Sequence, residues 1–173
     1  MQANKRLASA AIFALVLCVA SDIQAAERAF SFAVSGIVEK ILVTAGDEVS
    51  AGDVLAEMDA TKIKARLKAG QSAEAAAQLS YDIMKRRYDY ATVQFEAVSL
   101  SQAELDEAKL AMANAQAGLA RIRSKIAVGN WYLDHMTLRA PASGRVVKVP
   151  GYVGMIVNLK TNVSPIIVMD VAE

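Results

Sequence analysis

The sequence predicts an α+β protein: a small β-sandwich assembled from two separated stretches of chain and interrupted by a long antiparallel α-helical coiled-coil hairpin. Three observations carry this. First, a β-type pattern, SGIVEKILVTAGDEVSAGDVLAEMD (35–59), returns in looser form as SGRVVKVPGYVGMIVNLKTNVSPIIVMD (143–170), each copy opening on Ser-Gly and closing on an apolar run ending Met-Asp. Second, apolar side chains between the copies recur alternately every three and four positions, the spacing of a coiled-coil seam. Third, each copy alone has too few apolar residues for a core, whereas the two together can close one.

Residues 1–26 read as a signal peptide. Lys5 and Arg6 make a basic start, Leu7 to Ala20 an uncharged core, and SDIQAAE a small-residue exit ending at Ala25 or Ala26. The core is shorter than the ~20 residues of a spanning helix, and a retained, tilted anchor is the alternative. Cys18 is the only cysteine, and LVLC resembles a lipobox, which leaves a lipoprotein as a second alternative. Ordinary cleavage would remove Cys18, and with it any disulfide or thiol chemistry.

Residues 27–58 form the first sandwich half, with β character from Phe30. Ile37, Val38, Ile41, Leu42 and Val43 supply a strand, stopped by AGDE; SAGD and VLAEM follow. Gly46 and Gly52 admit the positive φ of tight turns, and Asp47 and Asp53 can bond their own turn backbone. Val49 and Leu55 are expected in the core.

Residues 59–133 form the hairpin, with its tip at about 98–102. Asp59 is the expected N-cap of the first helix. Its seam runs Ile63, Leu67, Gly70, Glu74, Ala77, Tyr81, Met84, Tyr88, Ala91, Phe95, Val98, broken only by Glu74. Ser101 followed by Glu104 fits a capping box that opens the second helix at Gln102. That helix carries Leu105, Ala108, Met112, Ala115, Leu119, Ile122, Ile126, Gly129 and Leu133. Two such helices joined by about four residues must fold back on each other. Residues 134–173 then return to β character: Val146, Val147, Val149, Val153, Ile156 and Val157 offer strand material, and SPIIVMD the last strand.

Taken together, SGIVEKILVTAGDEVSAGDVLAEMD, the heptad hairpin with VSLSQAELDEA at its tip, and LDHMTLRAPASGRVVKV resemble the membrane fusion proteins, the periplasmic adaptors of HlyD and RND type. The resemblance implies a lipoyl-like sandwich (barrel-sandwich hybrid) that stacks into a ring, as a homo-oligomer. It implies a periplasmic protein associated with the inner membrane, linking an RND or ABC transporter to a TolC-like outer-membrane channel through the hairpin tip. Many RND-type adaptors share a tip pattern of Arg, three residues, Leu, six residues, Ser. With the serine on Ser101, Gln94 stands at the leucine position and Tyr90 at the arginine position, so only Ser101 carries over. The partner-binding residues expected at the tip are Tyr90, Gln94, Val98, Ser99, Leu100 and Ser101. Most such adaptors continue into a β-barrel and a membrane-proximal domain, and the chain reads as a short form without them.

No chemistry is expected. Lys62 lies near the place where lipoyl and biotinyl domains present a modified lysine, but those need a strand after the turn, and here a heptad helix follows; Lys62 reads as a solvated lysine. His135 is the only histidine, which disfavours His-based metal sites and relays. Ser99 and Ser101 have no base beside them, and no Gly-rich phosphate loop follows a strand. A net charge of +1 points to no nucleic acid. The expected protein is therefore neither an enzyme nor a holder of cofactor or metal. Two alternatives remain: a stand-alone periplasmic coiled-coil scaffold or truncated adaptor paralogue, and a lipoyl or biotin carrier acting through Lys62.

Overall fold

A computed structural model describes residues 26–161 and 164–171. Most of the expected leader, Cys18 included, lies outside the described residues. The element order is β1 (Ala26–Phe30), β2 (Gly36–Ile41), β3 (Glu48–Val49), β4 (Val54–Met58), α1 (Thr61–Glu96), α2 (Gln102–Asp134), β5 (Thr137–Arg139), β6 (Gly144–Lys148), β7 (Ile156–Val157) and β8 (Ile167–Val171).

Two four-stranded antiparallel sheets run β1-β8-β6-β3 and β5-β4-β2-β7. Each sequence half therefore gives two strands to each sheet, and the halves interleave rather than abut. Exchanging each strand for its counterpart in the other half turns one sheet order into the other. The hydrogen bonds obey the same exchange: the Gly46 N–H donates to the Val146 carbonyl and the Gly154 N–H to the Val38 carbonyl, both at 2.8 Å. Likewise Gly36 faces Val157 while Gly144 faces Val49.

The repeated Ser-Gly has a reason in this pseudo-symmetry. The Ser35 hydroxyl accepts the Leu159 N–H at 3.1 Å, and the Ser143 hydroxyl accepts the Ala51 N–H at 3.2 Å, so each serine pins a turn of the opposite half. The glycine that follows leaves room for a close neighbour. A Cβ on Gly144 would overlap the Asp170 carbonyl oxygen of β8, and one on Gly36 would lie 3.0 Å from the Met58 sulfur.

Both halves line one core, in which Val34, Val38, Leu55, Met58, Val146, Ile166, Ile167 and Met169 are almost fully buried, with Val49 at its margin. SPIIVMD supplies β8, a central strand paired on both edges, which fits its run of apolar residues on both faces. Sequence reading missed β1: as an edge strand with exposed side chains at Glu27, Arg28 and Ala29, it has no apolar alternation. Several expectations are corrected. Leu42 and Val43 lie just beyond β2 and Val149 just beyond β6, although Val43 and Val149 still pack against the core. Val153 is not strand material but sits, exposed, in the turn that Gly154 closes with a φ of 87°. Asp59 is not the N-cap; Ala60 is, without a side-chain bond, although the Asp59 carboxylate accepts the Thr61 N–H at 2.9 Å and so covers one free donor of the first turn.

The helices α1 (36 residues) and α2 (33 residues) pack antiparallel, each about 50 Å long at ~1.5 Å per residue. Leu67, Ala91, Leu119 and Gly129 are buried between them; the other seam residues, Leu105, Met112, Ile122 and Ile126 among them, are half-buried, while Phe95 and Val98 at the distal end are exposed. At the base the helices come close: a Cβ on Gly129 would lie 2.7 Å from Leu67 Cδ2, and one on Gly70 would lie 3.1 Å from Ile126 Cγ1. Glu74, the polar break in the seam, receives the Arg123 Nε at 2.8 Å, and the same guanidinium donates to Gln78 at 2.8 Å.

Candidate functional site

The tip is built by two opposite capping devices. On the α2 side the capping box is complete: the Ser101 hydroxyl accepts the Glu104 N–H at 3.3 Å, and the Glu104 carboxylate accepts the Ser101 N–H at 2.9 Å and its hydroxyl at 2.7 Å. Those bonds, the hydroxyl's first, hold the Glu104 carboxyl below the ordinary glutamate range.

On the α1 side the Val98 N–H donates to the Phe95 carbonyl and the Ser99 N–H to the Gln94 carbonyl, both at 2.9 Å. This is a Schellman ending with Val98 at the left-handed position, where glycine is usual. Its φ is 57°, the one positive φ among the described non-glycine residues. A left-handed L-residue costs about 1–2 kcal/mol, and β-branching makes the position worse. Val98 is also 92% exposed, so no packing within the chain offsets the cost.

The expected tip residues occupy different environments. Tyr90 is 67% exposed and lies off the seam; Ser99 and Ser101 are exposed, and Gln94 and Leu100 are half-buried. Val93, one turn beyond Tyr90 and also exposed, was missed by the sequence reading. The available signal was an apolar residue at i+3 from Tyr90 on a face that does not meet the other helix.

At the other end, a polar cleft of about 580 Å³ lies where the hairpin leaves the sandwich, lined by Glu39, Lys40, Glu57, Lys64, Asp134 and Arg139 among others. Its cations and carboxylates partly pair, as in Lys40–Glu57 at 3.4 Å. No group of three or more metal-ligating side chains occurs among the described residues. His135 caps α2 and stacks on Trp131 at 4.0 Å between ring centroids, its Nδ1 2.7 Å from the Trp131 carbonyl oxygen, so its place is structural. Lys62 is exposed in the first turn of α1 and not on a β-turn. No described helix is long and apolar enough to cross a membrane.

Comparison with known proteins agrees with this geometry. Residues 31–169 match the family model described as RND MFP, barrel-sandwich hybrid domain. Over 124 residues, 72% of this chain, the sequence is 30% identical to the efflux pump periplasmic linker BepF of Brucella suis, and it spans 30% of that protein's length. Among solved structures, MacA of Actinobacillus actinomycetemcomitans superposes with a TM-score of 0.56 at 25% identity, covering 86% of this chain and 49% of MacA. The membrane fusion protein Spr0693 of Streptococcus pneumoniae gives a TM-score of 0.65 at 20% identity, over 84% of this chain and 58% of its own. With four-fifths of its length inside the family model and a split sandwich carrying a helical hairpin, the chain belongs to the RND-type membrane fusion proteins, a family of periplasmic adaptors.

Proposed function

We propose that this chain is the periplasmic adaptor subunit of a tripartite efflux or secretion system. In this reading it joins an inner-membrane transporter, of RND or ABC type, to a TolC-like outer-membrane channel, works as a homo-oligomer beside the inner membrane, and performs no chemistry of its own. The two sandwich halves and the hairpin that splits them are the organising domains. The observation that carries the reading is the hairpin: about 50 Å of coiled coil that touches the sandwich only at its base and ends in exposed Tyr90, Val93 and Val98. A helix pair of that length adds nothing to the sandwich core, so its use lies in reach. The relative BepF, a periplasmic linker of an efflux pump, points the same way.

A photo-crosslinker placed at Tyr90 or Leu100 in living cells tests this. An adduct with an outer-membrane channel is expected. Adducts only with other copies of the chain, or none, would leave a stand-alone scaffold as the better account.

A further inference from the structure

The tip differs in character from the cationic pattern of many RND-type adaptors, in which an arginine stands two turns before the turn. From Tyr90 to Ala108 there is no Lys or Arg, while Glu96, Glu104, Asp106 and Glu107 are all present and exposed. Within this acidic collar stands Val98, held in the left-handed region and almost wholly in solvent. Glycine or asparagine would serve the Schellman turn better, and nothing inside the chain rewards a branched apolar side chain there. A residue that weakens its own turn and whose side chain stands almost wholly in solvent is explained by a contact outside the molecule.

We infer that Val98 is an apolar knob that seats in an apolar socket rimmed by Lys and Arg on the outer-membrane channel, the acidic collar pairing with that rim. This rests on the adaptor reading above and adds to it the chemistry of the receiving surface. Burying an exposed apolar side chain at the centre of a small contact, with charges at the rim, is the usual layout of an interface whose affinity is concentrated in few residues. Rim charges of opposite sign speed encounter and make binding salt-sensitive.

The test uses the full chain and the channel captured from the native host by a photo-crosslinker at Ser99, then purified into nanodiscs. Affinity is measured at low and high salt for the unaltered protein, for Val98→Gly, for Val98→Asn and for the double variant Glu96→Gln/Glu107→Gln, none of which touches the capping box. Both Val98 variants are expected to melt at higher temperature yet bind at least tenfold more weakly, and the double variant to bind more weakly with a flatter salt dependence. Val98 variants that bind as well as the unaltered protein, or that melt lower, would overturn the knob. An affinity that does not fall with salt would overturn the basic rim. Either result leaves the adaptor reading standing, whereas absence of any channel adduct at Ser99 would remove both.

Discussion

The two Ser-Gly pairs occupy equivalent places, yet the same substitution in each should have unequal effects. In Gly144→Ala the new methyl meets backbone: it overlaps the Asp170 carbonyl oxygen and lies 3.2 Å from the Asp170 carbonyl carbon and 3.3 Å from Val171 Cα. Those atoms belong to β8, the central strand between β1 and β6, so relief requires moving a strand bonded on both edges. The Gly144 pairings with Val171 and Val49 would open, each ladder hydrogen bond contributing about 1 kcal/mol. Overpacking itself costs about 1–3 kcal/mol. We therefore expect Gly144→Ala to lose at least about 3 kcal/mol. In Gly36→Ala the nearest atom is the Met58 sulfur at 3.0 Å, on a flexible side chain that can give by a few tenths of an ångström. The expected loss is about 1 kcal/mol or less. With a urea slope near ~2 kcal/mol per molar, the midpoints should fall by about 1.5 M and about 0.5 M respectively. Hydrogen exchange across a urea series, read on peptides of β6 and β8, reports the sandwich apart from the helices. A Gly144→Ala loss no larger than that of Gly36→Ala would refute the steric reasoning.

Leu119→Asp places an unpaired charge at a buried seam position (5% exposed) and should cost the hairpin at least about 3 kcal/mol; unchanged helicity and melting by circular dichroism would mean that the helices do not pair as described. Because the folded-state Glu104 carboxyl is held below its ordinary range, its contribution is complete above that range and is lost as pH falls through the lowered value. Amide protection at Ser101 and Glu104 should thus fall in acid, and Glu104→Gln, which keeps a capping-box partner, should show no such acid loss at that turn; equal acid loss in both proteins would contradict the assignment. Lys62→Arg should leave export intact and no mass addition should appear on Lys62, whereas abolished export would favour a carrier role.

The hairpin was legible in the sequence because its determinants are local. Alternating steps of three and four place one side-chain row on one face of a helix whatever the rest of the chain does, and the Ser101–Glu104 box closes within four residues. The residues of the row are buried or half-buried along both helices until Phe95 and Val98, where the partner helix runs out. The repeat was equally visible, because Ser-Gly starts and Met-Asp ends are matters of composition. What local pattern could not supply was partner choice. Strands of equal apolarity can pair in many orders, and the interleaved order arises because the Ser35 and Ser143 hydroxyls, the Gly46 and Gly154 amides and the Gly36–Val157 and Gly144–Val49 pairings each join residues more than 90 positions apart. The same holds for Glu74, whose place in an apolar seam makes sense only once Arg123 stands opposite it. Val98 is the extreme case: its sequence reads as one more seam residue, and only the folded turn turns it outward. The sequence by itself determined the hairpin and the existence of two matching β halves, through contacts within a few residues; the tertiary structure decided how the halves mesh and what the tip presents, because those depend on groups brought together from distant parts of the chain.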